Sequence, residues 1–120
     1  MSEMSKELVA SRILGAVGLA SRAGKCAFGT EICVDMMRAG KGKLLLVASD
    51  ISDNSHKKLV KTATYHKTPY MLTELCMSEI SHAAGKKSNS AAILLTDSGF
   101  VKIIEKLGVK IYTTDMEVLD

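Results

Sequence analysis

Apolar residues recur along this chain in two alternating rhythms. Leu8, Val9, Ile13, Ala16, Val17 and Ala20 fall three or four apart, which predicts an amphipathic helix over 5–21. "LLLVA", Leu44 to Ala48, and "SAAILLT", residues 90–96, are continuous apolar runs, as strands covered on both faces require. Helical spacing returns in Ile32, Cys33, Met36 and Met37, and again in Leu59, Val60 and Ala63 within a helix over 54–67. It returns further on in Leu75, Cys76, Ile80, Ala83 and Ala84, then in Val101, Ile104 and Leu107 of "DSGFVKIIEKLG". "KCAF" and Pro69 to Leu72 read as short strands, and "VKIYTT" as one more edge strand.

Local chemistry marks the ends of these elements. Thr30 and Thr73 suit N-caps, and Glu31 and Asp35 suit the positive end of a helix dipole. Arg38 sits in a last turn, Gly40 fits the left-handed stop after it, and Gly85 ends the next helix but one. "SDISDNS" is turn and cap sequence. Gly15 and Gly18 lie inside the first helix, where glycine is costly, so both predict close packing against another element. Strands alternating with helices give an α/β fold with helices on both faces of a small sheet. No repeat, linker or low-complexity run interrupts the 120 residues, which predicts one domain over 1–120 with a loose acidic tail from about 113.

Composition narrows the function classes. The formal net charge is +3, which permits a nucleic-acid partner without demanding one. Cys26, Cys33 and Cys76 are odd in number and lack C-x-x-C spacing, against a disulfide framework or a four-ligand zinc site, so a reducing, cytoplasmic setting is expected. The N-terminal stretch is interrupted by Glu3, Lys6, Glu7 and Arg12, unlike a signal peptide, and no apolar run approaches the roughly 20 residues of a membrane span.

Catalytic patterns fail on context. "AGKGK" looks like half a phosphate-binding loop, but a helix precedes it, a strand follows, and Leu44 stands where Ser or Thr is needed. No nucleotide cofactor is therefore expected. His56, His66 and His82 have no metal-ligand spacing. Ser98 in "TDSGF" lacks the first glycine of a nucleophile elbow, and capping by Asp97 or Ser98 explains it better. Nothing near Cys26 or Cys33 marks a thiol nucleophile.

A basic set remains: Arg22 and Lys25, Lys41 and Lys43, and Lys86 and Lys87 in "GKKSNS". Lysines in loops are ordinary. Grouped at one end of the sheet, however, they would surround the head of the second helix, whose free N–H groups and dipole favour an anion. Gly29, without a side chain, would let a phosphate approach the backbone there. Few aromatics occur, so base stacking is not the expected main mode.

"LGAVGLASRAGKCAFGTEICVDMMRAGKGKLLLVASDISDNSHKKLVKTATYHKTPYML" and the later "AAGKKSNSAAILLTDSGF" resemble the ribosomal L-seven-Ae / L-thirty-e family, most of all its bacterial YlxQ-like branch, over roughly residues 12–107. The marks are Gly29-Thr30 heading a helix, the "RAGKGKLLLVASD" transition, Gly85 and the "LLTDSGF" close. The resemblance implies a three-layer α-β-α sandwich around a small mixed sheet of about four strands. It implies a non-enzymatic, ribosomal or ribosome-associated protein, without cofactor, whose partner is a structured, kink-turn-like RNA. The family's recognition segment reads Gly-Thr-Asn-Glu with a lysine three residues on. Gly29 and Thr30 match it; Glu31, Ile32 and Asp35 stand in place of asparagine, glutamate and lysine. Ionised glutamate only accepts hydrogen bonds and isoleucine makes none, so base reading is weakened where phosphate contact survives. The implied RNA surface is Lys25, Gly29, Thr30, Glu31, Lys41, Lys43, Ser49, Asp50, Lys86, Lys87 and Ser88. Two other classes fit the same residues: a protein–protein module that has lost RNA binding, and a detached recognition domain of an RNA-modifying enzyme.

Overall fold

The computed structural model describes residues 5–113. Among the described residues nine elements follow one another: α1 (Lys6–Arg22), β1 (Cys26–Phe28), α2 (Thr30–Arg38), β2 (Leu44–Val47), α3 (Asp53–Tyr65), β3 (Tyr70–Leu72), α4 (Met77–Ala83), β4 (Ala92–Leu95) and α5 (Ser98–Glu105). The four strands form one mixed sheet in the order β1-β4-β2-β3. β4 runs antiparallel to both β1 and β2, whereas β2 and β3 are parallel.

The continuous apolar runs occupy the two central strands, every residue of which is buried. Successive side chains leave a strand on opposite faces, and the two faces serve two cores. Leu44, Leu46, Ile93 and Leu95 pack with Ile13 and Val17 of α1, Ile80 of α4, and Val101 and Ile104 of α5. Leu45, Val47, Ala92 and Leu94 pack with Cys33, Val34 and Met37 of α2 and with Leu59 and Ala63 of α3. The result is a three-layer sandwich, with α1, α4 and α5 on one side of the sheet and α2 and α3 on the other.

Several expectations change in detail. The second helix begins at Thr30, so Gly29 rather than Thr30 is its N-cap. Its buried stripe is Cys33, Val34 and Met37, which rolls Ile32 outward to 56% exposure. In α3, Thr62 rather than Val60 joins Leu59 and Ala63 in the buried set, its hydroxyl donating to the Lys58 carbonyl at 2.8 Å. Thr73 caps no helix: its hydroxyl donates to the Val47 carbonyl at 2.8 Å and accepts from the Leu75 N–H at 3.2 Å, tying the β3 exit to β2. α4 starts at Met77, so Leu75 is buried from a loop instead.

Gly18 packs closely as expected, since a Cβ there would lie 3.2 Å from the Ala83 carbonyl; Gly15 is exposed with nothing within 4 Å. The expected strand at 109–114 is reduced to one antiparallel bridge, Tyr70 with Tyr112, whose rings stack at 5.1 Å. The acidic tail expected to be loose lies outside the described residues beyond position 113.

Candidate nucleic-acid interface

The β1–α2 junction is where backbone geometry departs most from the ordinary. Gly29 holds φ +110° and ψ 145°, a region that L side chains rarely adopt. This sharp turn takes the chain from β1 directly into α2. The Gly29 N–H still reaches the Ala92 carbonyl at 3.3 Å, and its own carbonyl accepts from the Cys33 N–H at 2.8 Å. No side chain caps α2, and the N–H groups of Thr30, Glu31 and Ile32 find no acceptor among the described residues. The other helices are provided for. Ser5, Ser52 and Asp97 accept from the first turns of α1, α3 and α5. Asp50 accepts from the Met77 N–H at 2.8 Å, and Glu79 from the Cys76 N–H at 2.9 Å, at the start of α4.

Two further segments lie at this end of the sheet. Ser90, at the close of the 85–90 loop, sits beside Gly29: a Cβ on Gly29 would stand 3.9 Å from the Ser90 hydroxyl. Lys86 places its ammonium 5.9 Å from the Phe28 ring centre, and Lys87 and Ser88 are exposed in the same loop. On the other flank, the Ala48 N–H bonds the Ala91 carbonyl at 2.9 Å, which brings Ser49 and Asp50 alongside. Asp50 already spends one carboxylate oxygen on α4, a role that sequence spacing of 27 residues hides. Ser49 is likewise tied to the approach to α4, its N–H donating to the Leu75 carbonyl at 2.8 Å.

Glu31 is not a bare negative charge. The Lys58 ammonium of α3 contacts its carboxylate at 2.6 Å. Both groups are substantially exposed, so the pair adds little stability. Its effect is electrostatic, offsetting a carboxylate at the helix head. Lys58 carries no motif that marks it in the sequence; only tertiary packing of α2 on α3 brings it to the site.

The basic set does not gather at one end. Lys25, Lys41 and Lys43 lie at the opposite end of the sheet. Lys25 and Lys43 flank β4 there: the Lys25 carbonyl accepts from Thr96 at 3.0 Å and the Lys43 N–H donates to Leu95 at 2.8 Å. α2 itself separates the two ends, its nine residues spanning about 14 Å. Helix and strand directions explain the split: α2 starts where β1 finishes and delivers the chain to where β2 begins. Gly29, Thr30, Glu31, Ser49, Asp50, Lys86, Lys87 and Ser88 thus stay together, and the other three lysines do not join them.

Neither Cys26 nor Cys33 has an activated thiol. Burial pushes the Cys33 thiol up to about 12, and burial also raises Cys26, opposed in part by the nearby Lys86 charge. Among the described residues no group of three or more His, Cys, Asp or Glu is placed to hold a metal ion, and no helix is long and apolar enough to cross a membrane.

A bared helix head beside a lysine loop stands on a three-layer sandwich with a mixed four-stranded sheet, the fold of a small α/β protein. The chain belongs to the ribosomal protein L7Ae/L30e/S12e/Gadd45 family, whose model matches residues 11–105, and within it to the bacterial YlxQ-like branch. It is 33% identical over 92 residues to the RNA-binding protein YlxQ of Bacillus subtilis, covering 76% of this chain and 90% of that protein. The large ribosomal subunit protein eL30 of Methanothermobacter thermautotrophicus is 27% identical over 85 residues, covering 71% of this chain and 87% of that one. The fold matches the solved 15.5kD RNA binding protein of Giardia lamblia with a TM-score of 0.70 at 14% identity, over 90% of this chain and 93% of that one.

Proposed function

We propose that this chain is a non-enzymatic, ribosome-associated RNA-binding protein that takes the backbone of a kink-turn-like RNA at the head of α2. The observation that carries this reading is the uncapped α2 terminus: three N–H groups without acceptors among the described residues, reached past a glycine at φ +110°. Such a terminus binds phosphate through directed N–H donors and the helix dipole. Lys86, Lys87 and Ser88 stand beside it to take neighbouring phosphates. Lys58 offsets Glu31, so the carboxylate at the head does not repel the ligand in full. The family and the named relatives support RNA as the class of partner.

Backbone contacts position an RNA without reading its bases. Discrimination then falls on shape, which a kinked backbone supplies. The test is a titration against a kink-turn RNA and a matched straight duplex at two salt concentrations. The expected result is a preference for the kinked RNA, with log K falling against log salt at a slope of about −2, as the two lysines beside the α2 head require. Equal affinity for both RNAs, or binding indifferent to salt, overturns the reading.

A further inference from the structure

Three helix-to-strand turns meet at the end of the sheet opposite the α2 head, and each carries an exposed lysine. α1, α2 and α3 lead there into β1, β2 and β3. All three turns close in the same way. The residue after the C-cap bonds back three residues: Gly24 to Ser21, Gly40 to Met37, and Lys67 to Thr64. The next residue bonds back five: Lys25 to Ala20, Lys41 to Met36, and Thr68 to Ala63. This paired closure needs a left-handed residue at its first position, where glycine is strongly favoured. α1 and α2 use glycine there, at φ +70° and +74°. α3 uses Lys67, at φ +58°, the lone non-glycine residue with positive φ among the described residues. A lysine held where glycine fits better points to a use for its side chain.

Lys25, Lys41, Lys43 and Lys67 are all exposed. Lys25 and Lys43 flank Thr96 of the same sheet row, so their Cα atoms are about 10 Å apart by strand spacing. Arg38 closes α2 on the same side. Among the described residues, none of these five cations is in an ion pair. Asp97, which caps α5 at this end, keeps its charge while accepting from the Gly99 N–H at 2.7 Å, and the five cations outnumber it. The α2 head, by contrast, mixes Lys86 and Lys87 with Asp50 and the Glu31–Lys58 pair.

We infer that this end is a second RNA surface, formed by Lys25, Lys41, Lys43 and Lys67, which grips a separate RNA segment through its phosphates and lets the protein bridge two segments. The inference rests on the reading that the chain binds RNA. The surface acts through lysine charge on phosphates, so it holds backbone of any sequence, and its affinity is steeply salt-dependent.

A two-RNA capture experiment tests it. A kink-turn RNA is immobilised, protein is added, and capture of a labelled, unrelated short duplex RNA is read. Wild type should retain the duplex, and K41E/K67G should lose at least tenfold of that retention while binding the kink-turn RNA alone within about twofold of wild type. Lys67→Gly by itself should raise the melting temperature, because it removes the left-handed lysine, and still weaken duplex capture. Unchanged capture by K41E/K67G overturns the second surface, as does equal loss of both RNAs, which would mean one continuous site. Wild type that binds the kink-turn RNA but captures no duplex overturns the second surface and leaves the first standing. Wild type that binds no RNA overturns both readings and turns attention to an acidic protein partner.

Discussion

Replacing Thr30 by glutamate separates helix stability from RNA binding. Thr30 is the first residue of α2 and has no capping bond of its own. A carboxylate at this position lies against the positive end of the helix dipole and the unaccepted N–H groups of the first turn. It should stabilise the fold by about 0.3–1 kcal/mol. The same carboxylate would stand roughly 6 Å from a phosphate seated on those N–H groups. Two like charges at that distance repel by about 0.7 kcal/mol in water and about 3 kcal/mol at an effective dielectric constant near 20. At tenfold per 1.4 kcal/mol, RNA affinity should fall by about 3- to 100-fold. The assay pairs thermal unfolding with an RNA titration on the same preparation. Melting temperature should hold or rise while affinity drops, and the gap should narrow as salt screens the repulsion. A variant as stable as wild type that binds RNA equally well refutes the placement of phosphate on the α2 head.

Other consequences are open to direct measurement. Gly42→Ala would set a Cβ 2.7 Å from a methyl of Leu94 and 3.2 Å from a methyl of Thr68, both buried, so about 1–3 kcal/mol of stability should be lost in a denaturant titration. Asp50→Ala removes the bond to the Met77 N–H and should cost about 0.5–2 kcal/mol by the same measurement; an unchanged midpoint would deny Asp50 its role at α4. The Cys76 N–H holds the Glu79 carboxyl below its ordinary range, so that contribution is present above the ordinary glutamate pKa and is lost as pH falls through the lowered one. Unfolding scanned through mild acid should therefore show a loss that Glu79→Gln lacks. With its thiol pushed up to about 12 and fully buried, Cys33 should resist alkylation at pH 8 until the protein unfolds, and rapid labelling of the native protein would contradict that burial.

The α/β class, the two double-covered strands and the ends of most helices are legible in the amino-acid order alone. Those features depend on short-range chemistry: apolar runs of four or five residues, and glycine in the left-handed position at Gly40 and Gly85. That order also marks Gly29 as the head of the candidate site, because a glycine before a helix is legible from neighbours alone. Tertiary structure decided which marked residues share a surface. Lys25, Lys41 and Lys43 were separated from Gly29 because each helix carries the chain from one end of the sheet to the other, and sequence proximity carries no record of that direction. It also brought in Lys58 against Glu31 and Asp50 against Met77, partners 27 residues apart in both cases. Ile32 turned outward because α2 chose its buried face from the sheet beneath it, a choice its own spacing left open. Long-range geometry is set by packing against two faces of one sheet, and no local pattern encodes that packing.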